Sequence, residues 1–334
     1  MTAKPPLAVK TKLIDLLKNK FFLGTIKFIL PCLVGLACLY YIVFGFQWSE
    51  IWEILKGANL SLFLSSAVAS TIVFWLLRSV RWAILLRREN LRISFFKLYL
   101  YTAVTIGFAN FTPFQSGEAL KVEMFRKYGG SRLSGYTLFF FEKLLDLAVI
   151  ALLSLTGIYT LFDAAFPAST PFLITVLAAG LIISAATMFF LARRWQAKIY
   201  AARGEFLPDV QTFAAAFLFT LASWAAMIAG WKYILQSVAI NLTVLQTTSV
   251  VSLTTVATII SLVPGAIGVS EVSIAALLSQ IGYETSIAQS GAILMGVYSL
   301  VILALAVVHL ILLKTLNYAD NSARKKLKQV GKNV

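Results

Sequence analysis

Asn110-Phe-Thr-Pro113-Phe-Gln-Ser-Gly117-Glu118 and, 151 residues further on, Ser261-Leu-Val-Pro264-Gly265-Ala-Ile-Gly268-Val-Ser-Glu271 interrupt an otherwise apolar chain. At that offset Pro113 maps to Pro264, Gly117 to Gly268, Asn90-Leu91 to Asn241-Leu242, and Arg81-Trp82 to Lys232-Tyr233. Identity between the halves is sparse, so the argument rests on the kinds of residue matched. Paired Gly/Pro-interrupted hydrophobic segments in corresponding halves point to a transporter-type binding site.

Composition sets the class. With 59% hydrophobic and 13% charged residues in 334, and a mean hydropathy of +0.84, the chain is expected to be an integral membrane protein. Apolar stretches fall at about 24–46, 61–86, 94–113, 136–162, 172–192, 209–235, 245–264, 270–282 and 288–313. The formal net charge of +15 does not indicate nucleic acid, because the basic residues gather in clusters between apolar stretches. Lys4, Lys10, Lys12, Lys18 and Lys20 precede the first stretch, and Arg87, Arg88, Arg92 and Lys97 follow the second. Arg126, Lys127 and Arg132 follow the first break. Arg193, Arg194, Lys198 and Arg203 follow 172–192, and Arg324, Lys325, Lys326 and Lys328 stand near the end. Such clusters mark cytoplasmic ends. Segments 47–60, 163–171 and 236–244 hold one basic residue, Lys56, and are assigned outside. Cys32 and Cys38 lie inside the first span and do not suggest a structural disulfide. Residues 7–17 are expected to form an amphipathic helix on the inner surface.

Topology inverts the repeat. From an inner N-terminus, 24–46 exits and 61–86 returns. Segment 94–113 then leaves the cytoplasm, yet the basic stretch 119–132 must be cytoplasmic again. A re-entrant element broken at Pro113 resolves the conflict, because proline ends the helix and glycine permits a sharp return. Further on, 245–264 enters from outside, breaks at Pro264-Gly265 and returns through 270–282. The fold expected is an all-α polytopic membrane protein of six full transmembrane helices plus two re-entrant Pro-Gly-Glu elements in an inverted repeat. Eight complete kinked helices are the alternative. The organisation is a basic tail over 1–23, one membrane domain over 24–313 with repeat halves at 61–162 and 209–313, and a basic tail over 314–334.

Ionisable residues at membrane depth are costly and usually line a cavity or pair with one another. Glu118 and Glu271 follow the two breaks. Glu142, Lys143 and Asp146 fall inside 136–162, with Glu142 and Asp146 one turn apart on one face. Arg78 and Arg81 lie one turn apart near the inner end of 61–86. Together they could hold a phosphate-bearing headgroup, since arginine grips phosphate through two N–H groups. Each has a plainer reading. The arginines could snorkel to inner-leaflet phosphates, Glu142–Lys143–Asp146 could simply hold helices together, and Glu118 could cap the helix it precedes. Glu271 is the only charge between Lys232 and Glu284, which favours a site role.

No P-loop motif occurs, two cysteines and the single histidine, His309, do not make an ordinary zinc site, and no cofactor or metal is expected. His309 reads as a packed residue. The tryptophans Trp48, Trp52, Trp75, Trp82, Trp195, Trp224 and Trp231 read mostly as interfacial belts.

Four motifs in order carry a family resemblance. They are Arg81-Trp82; Asn110-x-x-Pro113-x-x-x-Gly117-Glu118-x-x-Lys121; Glu142-Lys143-x-x-Asp146; and Pro264-Gly265-x-x-Gly268-x-x-Glu271. Over about residues 25–315 the chain resembles the lysylphosphatidylglycerol synthase transmembrane region, a flippase-like family. The resemblance implies an inner-membrane protein that moves, or helps to move, an amphiphilic lipid between leaflets; the basic clusters put both termini in the cytoplasm. The resemblance nominates Arg81, Asn110, Pro113, Gly117, Glu118, Lys121, Glu142, Lys143, Asp146, Pro264, Gly265, Gly268 and Glu271 as the translocation site, to which the reading of charges at membrane depth adds Arg78. Lys121 and Lys143 stand where relatives often carry arginine, which removes a two-pronged grip there. Longer lysylphosphatidylglycerol synthases add a soluble aminoacyl-transferase domain. The sequence ends at Val334 without one, so lysyl transfer is not expected and the protein is not read as an enzyme.

The expected substrate is a membrane lipid, either an anionic phospholipid or a polyprenyl-phosphate-linked lipid. An accessory role beside a lipid-synthesising enzyme or glycosyltransferase, and a membrane-embedded lipid transferase, are the alternatives. Nucleic acid is not an expected partner.

Overall fold

The computed structural model describes residues 20–87, 91, 93–162 and 210–330, and within them the chain is helical with two short 3-10 turns and no strand. The helix expected over 7–17, the span 172–192 and the cluster from Arg193 to Arg203 lie outside the described residues. Helix α1 (Lys20–Gly45) meets α2 (Trp48–Lys56) at an 80° bend. The segment 47–60 was expected only as an outer connection. Its Trp-x-x-x-Trp-x-x-x-Lys spacing instead makes α2 amphipathic, with Trp52 exposed and Ile51 buried. The bend is held where Gln289 accepts the Gln47 N–H at 2.8 Å.

Two sets of elements follow. The first is α3 (Leu60–Leu86), α4 (Phe95–Ala109), a turn over Pro113–Ala119, α5 (Leu120–Lys127) and α6 (Arg132–Phe162). The second is α7 (Val210–Gln236), α8 (Val244–Ser261), a turn over Pro264–Ala266, α9 (Val269–Ile281) and α10 (Thr285–Val330). Each element of the second set begins within two residues of the position 151 beyond its counterpart.

Packing repeats with the same symmetry. α4 lies on α10 and α8 lies on α6; α5 lies on α6 and α9 on α10; the two turns touch each other. α3 and α7 pack together most extensively of all. They run antiparallel, because Asn59 at the start of α3 donates its N–H to Ser237 past the end of α7 at 2.8 Å. Arg81 near the end of α3 meets Thr220 in the first half of α7 at 2.8 Å. Counterpart helices that pack antiparallel relate the two sets by a two-fold rotation across the helix axes. That is the geometry of an inverted repeat.

Local sequence explains the ends. Asn59 caps α3 by accepting from the Leu62 N–H at 2.9 Å, and Thr243 with Gln246 forms a capping box on α8. Proline opens both turns, where its missing N–H costs nothing. The glycines act differently. Gly265 and Gly268 sit at φ 68° and 83°, in the left-handed region that lets the chain reverse. Gly117 is not left-handed; it is needed for close approach, since a Cβ there would come within 3.1 Å of Ala109 Cα.

Among the described residues α3, α7, α8 and Thr285–Tyr318 of α10 are long and apolar enough to cross a membrane, and the bent α1–α2 pair would add a fifth span. α4 and α9, with 15 and 13 residues, rise only about 22 and 20 Å against roughly 30 Å of hydrocarbon. α8, with 18 residues, reaches about 27 Å, so the second broken element is entered by a nearly full-length helix. The tryptophan belt holds only in part. Trp48 and Trp52 are exposed, whereas Trp75, Trp82 and Trp224 are buried as core.

Candidate functional site

α3 turns Arg78 and Arg81 inward, one helical turn apart, toward Glu142 and Asp146 on one face of α6. The turn and α5 bring Glu118 and Lys121 to the same place. Asp146 accepts from Arg78, and from Arg81 Nη1 at 2.9 Å; Arg81 Nη2 also reaches Glu142. Lys121 Nζ lies 3.2 Å from Glu118 and 3.3 Å from Glu142, and Lys143 reaches Glu118 at 2.6 Å. Four cations and three carboxylates thus form one network. Arg81, Lys121 and Glu142 have no exposure at all, and Arg78 has 4%.

Burial on this scale rules out the plainer readings of two groups. Arg78 and Arg81 do not snorkel outward, and Glu118 is inside the network instead of capping a helix at the surface. Aromatic faces complete the shell: the Arg78 guanidinium lies 4.8 Å from the Phe74 ring centre and Lys121 lies 5.6 Å from that of Trp82. Desolvating an ion costs several kcal/mol, which mutual attraction repays only when partners and geometry are good. Removing one partner would strand the others.

Beside the network is a cavity of about 110 Å³. Arg78, Glu118, Lys143 and Asp146 give its charged wall; Asn110, Trp224, Thr255 and Tyr298 face it from the other elements. The antiparallel contacts of α3 with α7 place the pseudo-two-fold axis near Phe74 and Trp75, which also line the cavity. The cavity therefore lies where the halves meet, at the depth of the two turns: a Cβ on Gly265 would stand 3.5 Å from the Asn110 carbonyl oxygen.

The nominated residues divide into three groups. Arg78, Arg81, Glu118, Lys121, Glu142, Lys143 and Asp146 form the network, and Asn110 lines the cavity. Pro113, Gly117, Pro264, Gly265 and Gly268 shape the turns. Glu271 joins neither the network nor the cavity wall. Its Oε2 accepts the Gly268 N–H at 2.7 Å and the Ser270 hydroxyl at 2.9 Å, capping α9, and its other oxygen faces Gly296 of α10. Sequence reasoning passed over Thr220, which accepts from Arg81, and Thr71, Trp224 and Tyr298 on the cavity wall. A threonine or tyrosine inside an apolar span was the available signal. His309 is packed, with the Tyr99 hydroxyl at 2.9 Å and its ring edge-on to Trp75.

Comparison with known proteins agrees with this architecture. The family model described as lysylphosphatidylglycerol synthase TM region matches residues 28–306. The UPF0104 membrane protein PH1989 of Pyrococcus horikoshii is 25% identical over 267 residues, covering 68% of this chain and 80% of that protein. An all-helical chain with apolar spans, matched across most of its length by that model, belongs to the lysylphosphatidylglycerol synthase TM-region family.

Proposed function

We propose that this chain moves an amphiphilic lipid between the leaflets of a plasma (inner) membrane, with both termini cytoplasmic. The observation that carries the reading is the placement of the cavity. It lies where two broken elements, related by an inverted repeat, touch each other, and a buried ion network forms one wall. The headgroup enters the cavity while the acyl chains stay in lipid. Opposite tilts of the two halves then expose the cavity to one leaflet and the other. Movement is downhill, or coupled to a proton gradient or the membrane potential. The lipid is an anionic phospholipid or a polyprenyl-phosphate-linked lipid, and the chain is a transporter, not an enzyme.

The test is leaflet exchange of fluorescent phospholipid and polyprenyl-phosphate analogues in proteoliposomes, with native protein beside Glu118→Gln. Native exchange well above empty vesicles is expected. The variant leaves Lys121 and Lys143 without their shared carboxylate and is expected to fall at least tenfold. Folded native protein that exchanges no lipid, with or without an imposed pH gradient, would sink the reading.

A further inference from the structure

The cavity wall has a one-sided demand for hydrogen bonds. Its carboxylate oxygens are all engaged: Glu118 by Lys143 and Lys121, Asp146 by Arg81 and Arg78. Donors are left over. Arg78 spends Nη1 on Asp146, and no hydrogen bond uses Nη2 or Nε, the two nitrogens along one edge of its guanidinium. The buried indole N–H of Trp224, which lines the cavity from α7, also has no partner. A planar edge with two parallel N–H groups is the shape that grips two oxygens of a phosphate. A buried donor without an acceptor is costly, so a ligand that supplies acceptors gains where one that supplies only donors does not.

We propose that the cavity takes the phosphate of an anionic lipid headgroup that carries no amino group, with the Nε–Nη2 edge of Arg78 and the Trp224 N–H as its donors. An ammonium would add a fifth cation beside three carboxylates, and every carboxylate oxygen on this wall already accepts from a lysine or arginine. The Trp224 N–H and the Arg78 Nε are both sealed in this conformation, so the phosphate reaches them as the wall parts. The lipid portion of this inference rests on the translocation reading; the anion-binding edge does not.

The test is equilibrium binding to the full chain in neutral detergent, read by the thermal midpoint and by tryptophan emission. The probes are dioctanoyl phosphatidic acid, dioctanoyl phosphatidylethanolamine and inorganic phosphate. Saturable binding of the phosphatidic acid at about tenfold lower concentration than the ethanolamine lipid is expected. Arg78→Lys, which loses the paired edge but keeps the charge, is expected to weaken it about tenfold. Trp224→Phe keeps an aromatic ring but removes the N–H together with part of the indole, and is expected to weaken it about threefold. If Arg78→Lys does not fold, Trp224→Phe decides.

Equal or tighter binding of the ethanolamine lipid, or unchanged binding in the folded variants, would overturn the proposal. Inorganic phosphate binding as tightly as the lipid would overturn the headgroup assignment and leave a free-phosphate site. Anion-selective binding without leaflet exchange would sink translocation alone, and leaflet exchange without anion selectivity would sink this inference alone.

Discussion

The two halves share a backbone plan and differ in what fills it. Shifted by 151 residues, Arg78 becomes Ala229, Glu118 becomes Val269, Lys121 becomes Val272, Glu142 becomes Ile293, Lys143 becomes Leu294 and Asp146 becomes Val297; only Arg81, against Lys232, stays basic. The ion network of the first half thus faces an apolar counterpart in the second. Of these counterparts Leu294 belongs to a buried cluster with Ile274, Leu278 and Met295, Val272 and Ile293 pack against that cluster, and Ala229 and Val297 are exposed. Lys232 has turned to the Leu242 carbonyl oxygen, 2.9 Å away. The same helices therefore pack with or without charge between them. Apolar side chains of similar volume usually stabilise as well as a buried ion cluster, or better. Making these elements does not require the cluster, and the natural place to look for its use is the cavity beside it.

The sharpest way to break that comparison is to cut one shared partner out of the charged half. Arg81→Met removes the guanidinium that Glu142 and Asp146 share, leaving them Lys121 and Arg78, and is expected to cost about 3–5 kcal/mol, read as a large fall in thermal midpoint in detergent. A smaller change in stability is expected when the first half receives apolar residues throughout. Arg78→Ala, Arg81→Met, Glu118→Val, Lys121→Val, Glu142→Ile, Lys143→Leu and Asp146→Val together should give a folded protein within about 2 kcal/mol of native, with leaflet exchange at background. Should that multiple variant lose the helical circular dichroism that native protein shows in the same detergent, the network is structural and the comparison fails. Glu271→Ala removes the cap of α9 and should cost about 1 kcal/mol. Lys232→Met should cost least, about 0.5–1 kcal/mol, for one bond to a carbonyl.

Much of this plan was readable in the residues. The two proline breaks, the 151-residue offset and the shared face of Glu142 and Asp146 follow from spacing alone, and the structure uses all three. Glu271 shows where such reading stops. The sequence makes Glu118 and Glu271 look like equivalents, yet on the offset Glu118 falls on Val269 and Glu271 on Leu120. Two residues of slip place one carboxylate in a 3-10 turn among lysines and the other in the first turn of a helix, where the Gly268 N–H and the Ser270 hydroxyl claim it. The tryptophans teach a similar limit. Hydropathy cannot tell an aromatic at a lipid boundary from one between helices, so Trp75 and Trp82 were indistinguishable from Trp52 until the helices were placed. Gly117 and Gly268 likewise look alike in text, although one serves close packing and the other backbone reversal.

The crosswise packing, with α4 on α10 and α8 on α6, bears on how the protein is made. Tyr99 and His309, whose side chains bond across the first of these seams, are 210 residues apart in the chain. The first broken element is therefore synthesised long before the helix that will cover it, and during that interval its turn lacks its contact with the second turn. Contacts so distant in sequence delay completion of a fold and prolong exposure of its unfinished surfaces. Biogenesis is expected to have a late commitment point. Chains arrested before Thr285 should be degraded or held by insertion chaperones, and chains arrested after the end of α10 should be protease-resistant.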